Sequence, residues 1–213
     1  MNKLVIYGGG TFNKAKCHLA LATPAFGTTA KQLAVIFKDR GYEVDLRLTK
    51  MADSSSNIVT NSDLFYDLLE LLKDRNVKVI IFNAAVCDFY LGNLPEEERL
   101  NSENNHFDIV LSPEGCKFIK MIKDTRPDIF VVGFKTTSNQ TTAVQERLSH
   151  KQIEKSGVDI VFANDVSTRS NLIIVKKGGI YHNDRDKLLG MLPTLIEGNS
   201  SAGNVFEVFK CYR

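Results

Sequence analysis

The sequence predicts an α/β protein with a Rossmann-like, three-layer fold, in which helices cover both faces of a mostly parallel central sheet. Three observations carry this prediction. Short β-branched or apolar runs alternate along the chain with segments of helical periodicity. Several of the runs are continuously apolar, which is typical of parallel strands buried on both faces. Glycine and small polar residues follow the runs, at the strand ends where such sheets bind ligands.

The first half of the chain predicts three strands and two helices. Strands are expected at residues 3–7, 44–48 and 77–82. One helix is expected between Gly27 and Gly41 and a second over residues 64–72, because apolar residues recur there at helical spacing. Residues 12–27 have no clean periodicity and predict no element.

The second half predicts a mobile flap and then further strands and helices. Residues 90–107 are too polar for a core and longer than the usual connection of about 4–6 residues. A short strand is expected at residues 109–111, and Ser112 and Pro113 predict the N-cap and first turn of the next helix. The remaining predicted elements are a strand at 129–134, a helix ending near Gly157, a strand at 158–162, an antiparallel hairpin of strands 172–175 and 180–181, and a helix at 188–196.

The composition is that of one compact domain with small-molecule partners. The 213 residues are 43% hydrophobic and 24% charged, and the net charge of +2 includes no long run of one sign. This balance predicts neither a nucleic-acid partner nor an anionic membrane surface. No run approaches the roughly 20 apolar residues of a membrane helix, and no signal peptide precedes the first strand, so we expect a cytoplasmic protein. Residues 1–197 are expected to form a single domain, and residues 198–213 are an unassigned tail.

The cysteines and histidines predict no metal centre. Four cysteines and four histidines are scattered along the chain, and no C-x-x-C pair occurs, which argues against a zinc site and a disulfide framework. Cys87 has no histidine in a recognisable relation to it. We therefore expect a small buried thiol there rather than a nucleophile.

Two glycine-containing segments are candidates for contact with a phosphate group or a nucleotide. The first strand ends at Gly8, Gly9, Gly10 and Thr11, and glycine lets a backbone approach a ligand closely. Neither G-x-G-x-x-G nor the P-loop pattern is present, so a plain tight turn explains this segment as well as a ligand contact does. The first predicted helix begins at Gly27, Thr28 and Thr29 and continues through Ala30. Its free N–H groups and dipole favour a phosphate.

Polar residues at two strand ends are the next candidates. Asp88 could bind a base, a ribose or a magnesium ion, although on spacing alone a helix cap or turn carboxylate is the commoner role. Asn164 and Asp165 have the same ambiguity at another strand end. Because the carboxyl ends of parallel strands meet at one edge of a sheet, these residues together favour a binding site more than either group alone.

Phe134 and two lysines leave both a structural and a functional interpretation open. Phe134 follows a glycine at a strand end, where it could stack on a base, although most phenylalanines in such positions belong to the core. Lys151 and Lys155 have i, i+4 helical spacing. This spacing usually marks a solvated face, and the alternative is a pair of charges directed at a phosphate.

Taken together, these motifs resemble the phosphopantothenate–cysteine ligase family of coenzyme A biosynthesis over residues 3–196. Residues 83–90 read N-A-A-V-C-D-F-Y, which is similar to the family's A-A-V-(A/S)-D-(F/Y) segment. Residues 132–134 match its V-G-F and residues 163–166 its A-N-D-V. Thr11 and Gly27 keep the family's interval of sixteen residues between a G-G-T segment and a helix-starting glycine.

The resemblance implies an ATP- or CTP-dependent carbon–nitrogen ligase that requires Mg²⁺. A phosphopantothenate-like carboxylate attacks the α-phosphate, and the amine of cysteine then attacks the acyl-nucleotide to give an amide. Thr23 stands where the family has an asparagine that helps to hold this intermediate. Arg99 stands where the family has a lysine in its flap. The resemblance implies that both are catalytic residues. The implied nucleotide-binding residues are Gly8, Gly9, Gly10, Thr11, Gly27, Thr28, Ala30, Ala84, Ala85, Asp88, Phe134, Asn164 and Asp165.

The resemblance also implies a homodimer that uses no flavin. Bifunctional bacterial relatives carry a flavin-dependent decarboxylase domain before the ligase, and here the first strand starts at Lys3. The apolar hairpin at residues 172–181 could join two copies by extending the sheet.

Two other functions remain open. One is a diverged relative that binds a nucleotide but has lost or changed the ligation. The other is a nicotinamide-dependent short-chain oxidoreductase, which is disfavoured because no Y-x-x-x-K pair occurs in the chain.

Overall fold

A computed structural model describes residues 3–16, 18–91, 110–113 and 117–199. In chain order the elements are β1 (Lys3–Gly10), β2 (Phe12–Lys16), β3 (Leu19–Ala22), α1 (Thr28–Asp39), β4 (Val44–Leu48), α2 (Asn61–Leu71), β5 (Val77–Ala85), β6 (Phe89–Leu91), β7 (Leu111–Pro113), α3 (Phe118–Thr125), β8 (Phe130–Thr137), α4 (Thr142–Ser156), β9 (Ile160–Asp165), β10 (Asn171–Val175), β11 (Ile180–His182) and α5 (Arg185–Asn199).

The main sheet has seven strands within the described residues, in the order β11-β10-β9-β8-β5-β1-β4. The five strands β9, β8, β5, β1 and β4 are parallel to one another. At one edge, β10 pairs antiparallel with β9 and forms an antiparallel hairpin with β11. The predicted α/β class, the mostly parallel sheet and the C-terminal hairpin are therefore confirmed.

Helices cover both faces of this sheet, which explains why its central strands are apolar without alternation. Leu4 and Ile6 of β1 point to the face covered by α1 and α5, and Val5 and Tyr7 point to the face covered by α2, α3 and α4. Successive side chains of a strand point to opposite faces, so a strand with both faces covered needs an apolar residue at every position. No helix in the described part of the chain is both long and apolar enough to cross a bilayer.

Two small antiparallel sheets lie outside the main sheet, and the periodicity of the sequence predicted neither. The strands β2 and β3 pair within residues 12–22, and β6 pairs with β7 through the register Phe89 with Pro113. The expected N-cap and first turn at Ser112 and Pro113 are therefore wrong. Both residues belong to β7, and α3 begins at Phe118.

The expected flap and the chain's end lie mostly beyond the described residues. Residues 92–109 are not described, so Arg99 is not placed. The last helix runs to Asn199, past the expected domain end at residue 197, and contains Pro193. Residues 200–213 are also outside the described part.

Candidate functional site

A cleft of about 1210 Å³ lies at the carboxyl edge of the parallel strands, between α1 and α5 on one side and α3 and α4 on the other. Strand ends and helices supply its walls together. The lining residues include nine of the predicted site residues, namely Gly9, Thr23, Gly27, Thr28, Ala84, Ala85, Asp88, Phe134 and Asn164. Gly8, Gly10, Thr11, Ala30 and Asp165 are not among them.

The glycines after β1 are required by contacts within the protein. A Cβ atom on Gly8 would collide with the Cβ atom of Ala30, so the glycine lets α1 pack closely on the sheet. A Cβ atom on Gly10 would collide with the carbonyl oxygen of Thr23. The N–H of Gly10 donates to the carbonyl of Ala25 at 2.8 Å. This N–H therefore has a partner within the protein. Gly8 and Gly10 have packing roles, and their expected ligand contacts stay predictions.

Thr11 is fully buried and fixes the loop that follows β5. Its hydroxyl donates to Oδ1 of Asn61 at 2.5 Å and accepts a hydrogen bond from the N–H of Cys87 at 3.1 Å. The Asn61 amide donates to the carbonyl of Cys87 at 2.8 Å, and the N–H of Thr11 donates to the carbonyl of Ala85 at 3.1 Å. Thr11 therefore positions the chain next to Asp88 rather than touching the cleft.

Asn61 was not among the predicted site residues. It is the first residue of α2, whose N-cap Thr60 forms a capping box with Asp63. The Thr60 and Asp63 spacing is a signal that locates this helix start. Nothing in the local sequence shows that the Asn61 side chain reaches the end of β5.

The N-terminus of α1 opens on the cleft. Its N-cap Gly27 has φ 74°, and within the described residues no side chain caps the helix. The first N–H groups of a helix have no partner inside it, and the helix dipole adds partial positive charge there. Thr28 and Thr29 line the cleft at this point, whereas Ala30 faces Gly8.

Positive charge dominates the cleft. Its described lining contains six cationic side chains, Lys117, Lys120, Lys135, Lys151, Lys155 and Arg185, against the single carboxylate of Asp88. The two α4 lysines thus face the cleft, so of the two interpretations of their spacing the placement agrees with charges directed at a ligand. A concave surface with this balance attracts anionic small molecules.

Asp88 is exposed after the end of β5. Its Oδ1 lies 2.9 Å from the Nζ of Lys117, and both side chains are about 60% exposed, at 62% and 61%. Asp88 lies between β5 and β6, and no described helix begins or ends next to it, so it is not the cap of a described helix. Its carboxylate is accessible to a ligand, which would have to compete only with this exposed ion pair.

Phe134 serves the core and the cleft together. Its ring stacks on the fully buried Phe162 with centroids 5.2 Å apart and an interplanar angle of 21°. The side chain is only half-buried and lines the cleft. One aromatic ring is therefore held by the core and presented to a ligand.

Asp165 is held by hydrogen bonds within the protein and is not among the residues that line the cleft. Its carboxylate accepts hydrogen bonds from the N–H groups of Asn139, Gln140, Ser167 and Thr168 and from the Thr137 hydroxyl, at 2.8–3.0 Å. Burial alone raises the pKa of Asp165, but these hydrogen bonds outweigh it and hold the pKa well below its usual range. Asp165 ties together the turns after β8 and β9, whereas its neighbour Asn164 lines the cleft.

The two implied catalytic positions differ in what the structure says of them. Thr23 lines the cleft, and its hydroxyl donates to the carbonyl of Val86 at 3.3 Å. Arg99 lies outside the described residues. Cys87 is buried, as expected, and its thiol donates to the carbonyl of Phe89 at 3.4 Å. The described residues contain no group of three His, Cys, Asp or Glu that could hold a metal ion.

Together, the sheet and the cationic cleft define a Rossmann-like protein whose binding site suits an anionic small molecule. The chain matches a family profile over residues 1–189 and belongs to that family, described as DNA/pantothenate metabolism flavoprotein C-terminal domain. This match confirms the resemblance drawn from the motifs.

One curated relative is the coenzyme A biosynthesis bifunctional protein CoaBC of Thermococcus kodakarensis. It is 28% identical over 130 residues, which are 59% of this chain and 32% of the relative. The matched region therefore spans about a third of that relative's length.

Solved structures support the fold independently. The DNA/pantothenate metabolism flavoprotein from Streptococcus pneumoniae has a TM-score of 0.76 at 21% identity, over 93% of this chain and 98% of that one. The C-terminal domain of a coenzyme A biosynthesis bifunctional protein CoaBC has a TM-score of 0.69 at 18% identity, over 92% and 93%. A mutant of Cab2 in complex with phosphopantothenate-cysteine has a TM-score of 0.70 at 14% identity, over 98% and 88%. At these identities the likeness establishes the fold alone.

Proposed function

We propose that this protein is a nucleotide-dependent ligase of the phosphopantothenate–cysteine ligase type, which activates a carboxylate as an acyl-nucleotide and joins it to cysteine. The observation that carries the proposal is the positive charge of the cleft in a chain that belongs to the DNA/pantothenate metabolism flavoprotein C-terminal domain family. Six cationic side chains face one carboxylate among its described lining residues. Both the nucleoside triphosphate and the phosphorylated acid of such a reaction are strongly anionic.

The nucleotide is proposed to lie across the carboxyl edge of β5, β8 and β9. Phe134 offers a ring for the base, and Ala84, Ala85 and Asn164 are the small or polar residues beside it. Gly27 and Thr28 bring the N-terminus of α1 to the phosphates. Lys151 and Lys155 then supply positive charge from the opposite wall.

The proposed chemistry has two steps that both build negative charge. A carboxylate oxygen of the acid attacks the α-phosphorus, and pyrophosphate leaves. The amine of cysteine next attacks the activated carbonyl, loses a proton and expels the nucleoside monophosphate, so an amide remains. Preorganised cations and N–H groups stabilise the charge that develops in each step. We assign Thr23 to holding the acyl-nucleotide and Arg99 to the cation from residues 92–109.

Magnesium is proposed to arrive with the triphosphate. Carboxylate and phosphate oxygens are the ligands that Mg²⁺ prefers, and Asp88 is the described carboxylate that lines the cleft. When bound, the ion neutralises charge on the phosphates. Neither step changes an oxidation state, so the proposed reaction needs no flavin.

The remaining expectations stay proposals of the same kind. We propose a cytoplasmic homodimer in which residues 1–197 act as one domain. The choice between ATP and CTP is left to experiment.

The deciding experiment is an assay of the purified full chain with phosphopantothenate, cysteine, Mg²⁺ and either ATP or CTP. The expected result is pyrophosphate release together with a new amide product. Formation of this product should require cysteine. Tight nucleotide binding without product would instead identify the diverged, binding-only relative, which Thr23 in place of the family's asparagine favours. Oxidation of a reduced nicotinamide would point to the oxidoreductase.

A further inference from the structure

Arg185 lies where the start of α5 meets the start of α1, and it belongs to none of the sequence motifs that resemble the family. It is the first residue of α5 and is half-buried. Its Nη2 donates to the hydroxyl of Thr29 in the first turn of α1 at 2.7 Å. The guanidinium carbon lies 5.4 Å from the centroid of the Phe162 ring. Arg185 lines the main cleft and also a neighbouring cavity of about 810 Å³.

The charge of Arg185 has no carboxylate partner among the described residues. Two acidic residues adjoin Arg185 in sequence, and both have other partners. Asp186 accepts a hydrogen bond from the Gln32 amide at 3.0 Å, and Asp184 lies 3.3 Å from the Nζ of Lys187. Burial lowers the pKa of the Arg185 guanidinium, and Asp186 offsets this only in part. A partly buried cation without a counterion is unfavourable unless a ligand supplies one.

The surroundings of Arg185 select the kind of ligand. A guanidinium has five N–H donors in a rigid fork, and the structure shows one hydrogen bond to Thr29. Thr29 stands beside the uncapped N-terminus of α1, so further donors point to the same part of the cleft. A phosphate group accepts several hydrogen bonds at once and is bound in two-pronged fashion by arginine.

We propose that Arg185 binds a phosphate group of the nucleoside triphosphate, in concert with the first turn of α1. This inference rests on the proposed function and adds a residue to the same site. Phe162 contacts both Arg185 and Phe134. One buried ring therefore fixes the spacing between the base platform and the phosphate-binding cation, and Arg185 selects for a nucleotide that carries phosphates.

The test compares Arg185→Gln with Lys187→Gln, a matched loss of one positive charge on the same helix. Lys187 is 68% exposed and pairs with Asp184. Calorimetry on the full chain measures binding of MgATP, MgCTP, inorganic tripolyphosphate, the free nucleosides and phosphopantothenate. Arg185→Gln should weaken nucleotide and tripolyphosphate binding roughly tenfold to a hundredfold, the scale of a charge-assisted hydrogen bond. Nucleoside and phosphopantothenate binding should stay unchanged, and Lys187→Gln should behave as the wild type.

A purely structural role for Arg185 gives a different pattern. In that case, Arg185→Gln would lower the melting temperature and weaken the binding of nucleosides and nucleotides alike, and this result would overturn the proposal. Unchanged binding of tripolyphosphate would also overturn it. Loss of phosphopantothenate binding alone would also overturn it. Arg185→Lys keeps the charge but not the fork, so partial recovery of affinity is expected, and this variant serves if Arg185→Gln does not fold. A wild-type chain that binds no nucleotide refutes the proposed function itself.

Discussion

At the scale of single residues, two carboxylates at the carboxyl edge of the sheet have different tasks. Asp165 is buried, and its oxygens are saturated by four backbone N–H groups and the hydroxyl of Thr137. Asp88 is exposed and has one lysine beside it. The number of donors supplied by the fold decides which carboxylate remains available to a ligand.

Replacing Asp88 tests the available carboxylate. Asp88→Ala should weaken nucleotide binding about tenfold, because it removes a charged contact from the cleft. The melting temperature should hardly change, since an exposed ion pair stabilises a fold by about 1 kcal/mol or less. Calorimetry and thermal unfolding measure the two effects. Glu70→Ala is the control, because it removes a similarly exposed pair with Lys73; unchanged affinity in Asp88→Ala would remove Asp88 from the site.

Replacing Asp165 tests the saturated carboxylate. Its folded pKa lies below the ordinary value, so it stabilises the fold at neutral pH, and this contribution is lost as the pH falls below about 4. Asp165→Asn should lower the melting temperature at pH 7 by several degrees, because an amide donor then faces N–H donors. Between pH 5 and pH 3, its stability should fall less steeply than that of the wild type.

Urea unfolding over that pH series measures both effects of the Asp165 change. Asp124→Asn is the control, because it alters an exposed pair with Lys120 and should leave the stability nearly unchanged. Equal stability of Asp165→Asn and wild type at pH 7 would contradict the role given to this carboxylate.

At the scale of elements, the position of α1 depends on the absence of a side chain in β1. Gly8 and Ala30 are in contact where the helix crosses the strand. This contact sets how closely the uncapped N-terminus of α1 approaches the cleft. The glycine run therefore acts on the site through helix packing.

Substitutions at two glycines separate packing from backbone entropy. Gly8→Ala should destabilise the protein by about 1–3 kcal/mol, the usual effect of overpacking. Gly190→Ala in α5 should be neutral or stabilise by about 0.5–1 kcal/mol, because the described residues leave its side open and alanine favours helices. Urea unfolding measures both values. The double change Gly8→Ala with Ala30→Gly should restore part of the loss, and no restoration would argue against the contact.

The elements also show what local sequence patterns can predict. Every strand of the main sheet and every helix packed on it was recognised between Lys3 and Ile196. Burial on two faces leaves a continuous apolar run in a strand, and burial on one face leaves apolar residues at helical spacing in a helix. The pairs β2–β3 and β6–β7 leave no such record. Phe89 pairs with Pro113 across many intervening residues, and Leu19 remains 40% exposed.

The residues of the site likewise differ in whether a local sequence pattern reveals them. Residues that close a buried strand, such as Asp88, Phe134 and Asn164, were predicted to meet, and they line one cleft. Asn61 and Arg185 act through side chains that reach a distant element. Their roles follow from tertiary packing, which no local pattern records. The donors around Asp165 could not be predicted either, because they come from two turns that the sequence does not bring together.

At the scale of the whole molecule, β11 is an edge strand that pairs only with β10 among the described residues. β11 has three residues, forms one border of the sheet and leaves Ile180 40% exposed. Edge strands present free N–H and C=O groups to a neighbouring chain. This edge is where the expected homodimer would extend the sheet.

A charge on the edge strand tests the dimer. The wild-type chain should be a dimer in solution, and Ile180→Lys should yield a folded monomer, because a lysine on an edge strand opposes pairing. Light scattering coupled to size-exclusion chromatography gives the mass, and circular dichroism reports the fold. Val35→Lys is the control, since Val35 is 57% exposed on α1. A dimer that persists in Ile180→Lys would place the interface elsewhere.

The cleft lies where the two helix layers come within reach of one ligand. α1 and α5 reach it from one face of the sheet, and α3 and α4 reach it from the other. A bound nucleotide would join layers that otherwise contact each other mainly through the strands. At a ligand concentration one hundred times the Kd, such binding adds about 2.7 kcal/mol to stability. The lifetime of the protein against cellular proteases would then rise and fall with the supply of its own substrate.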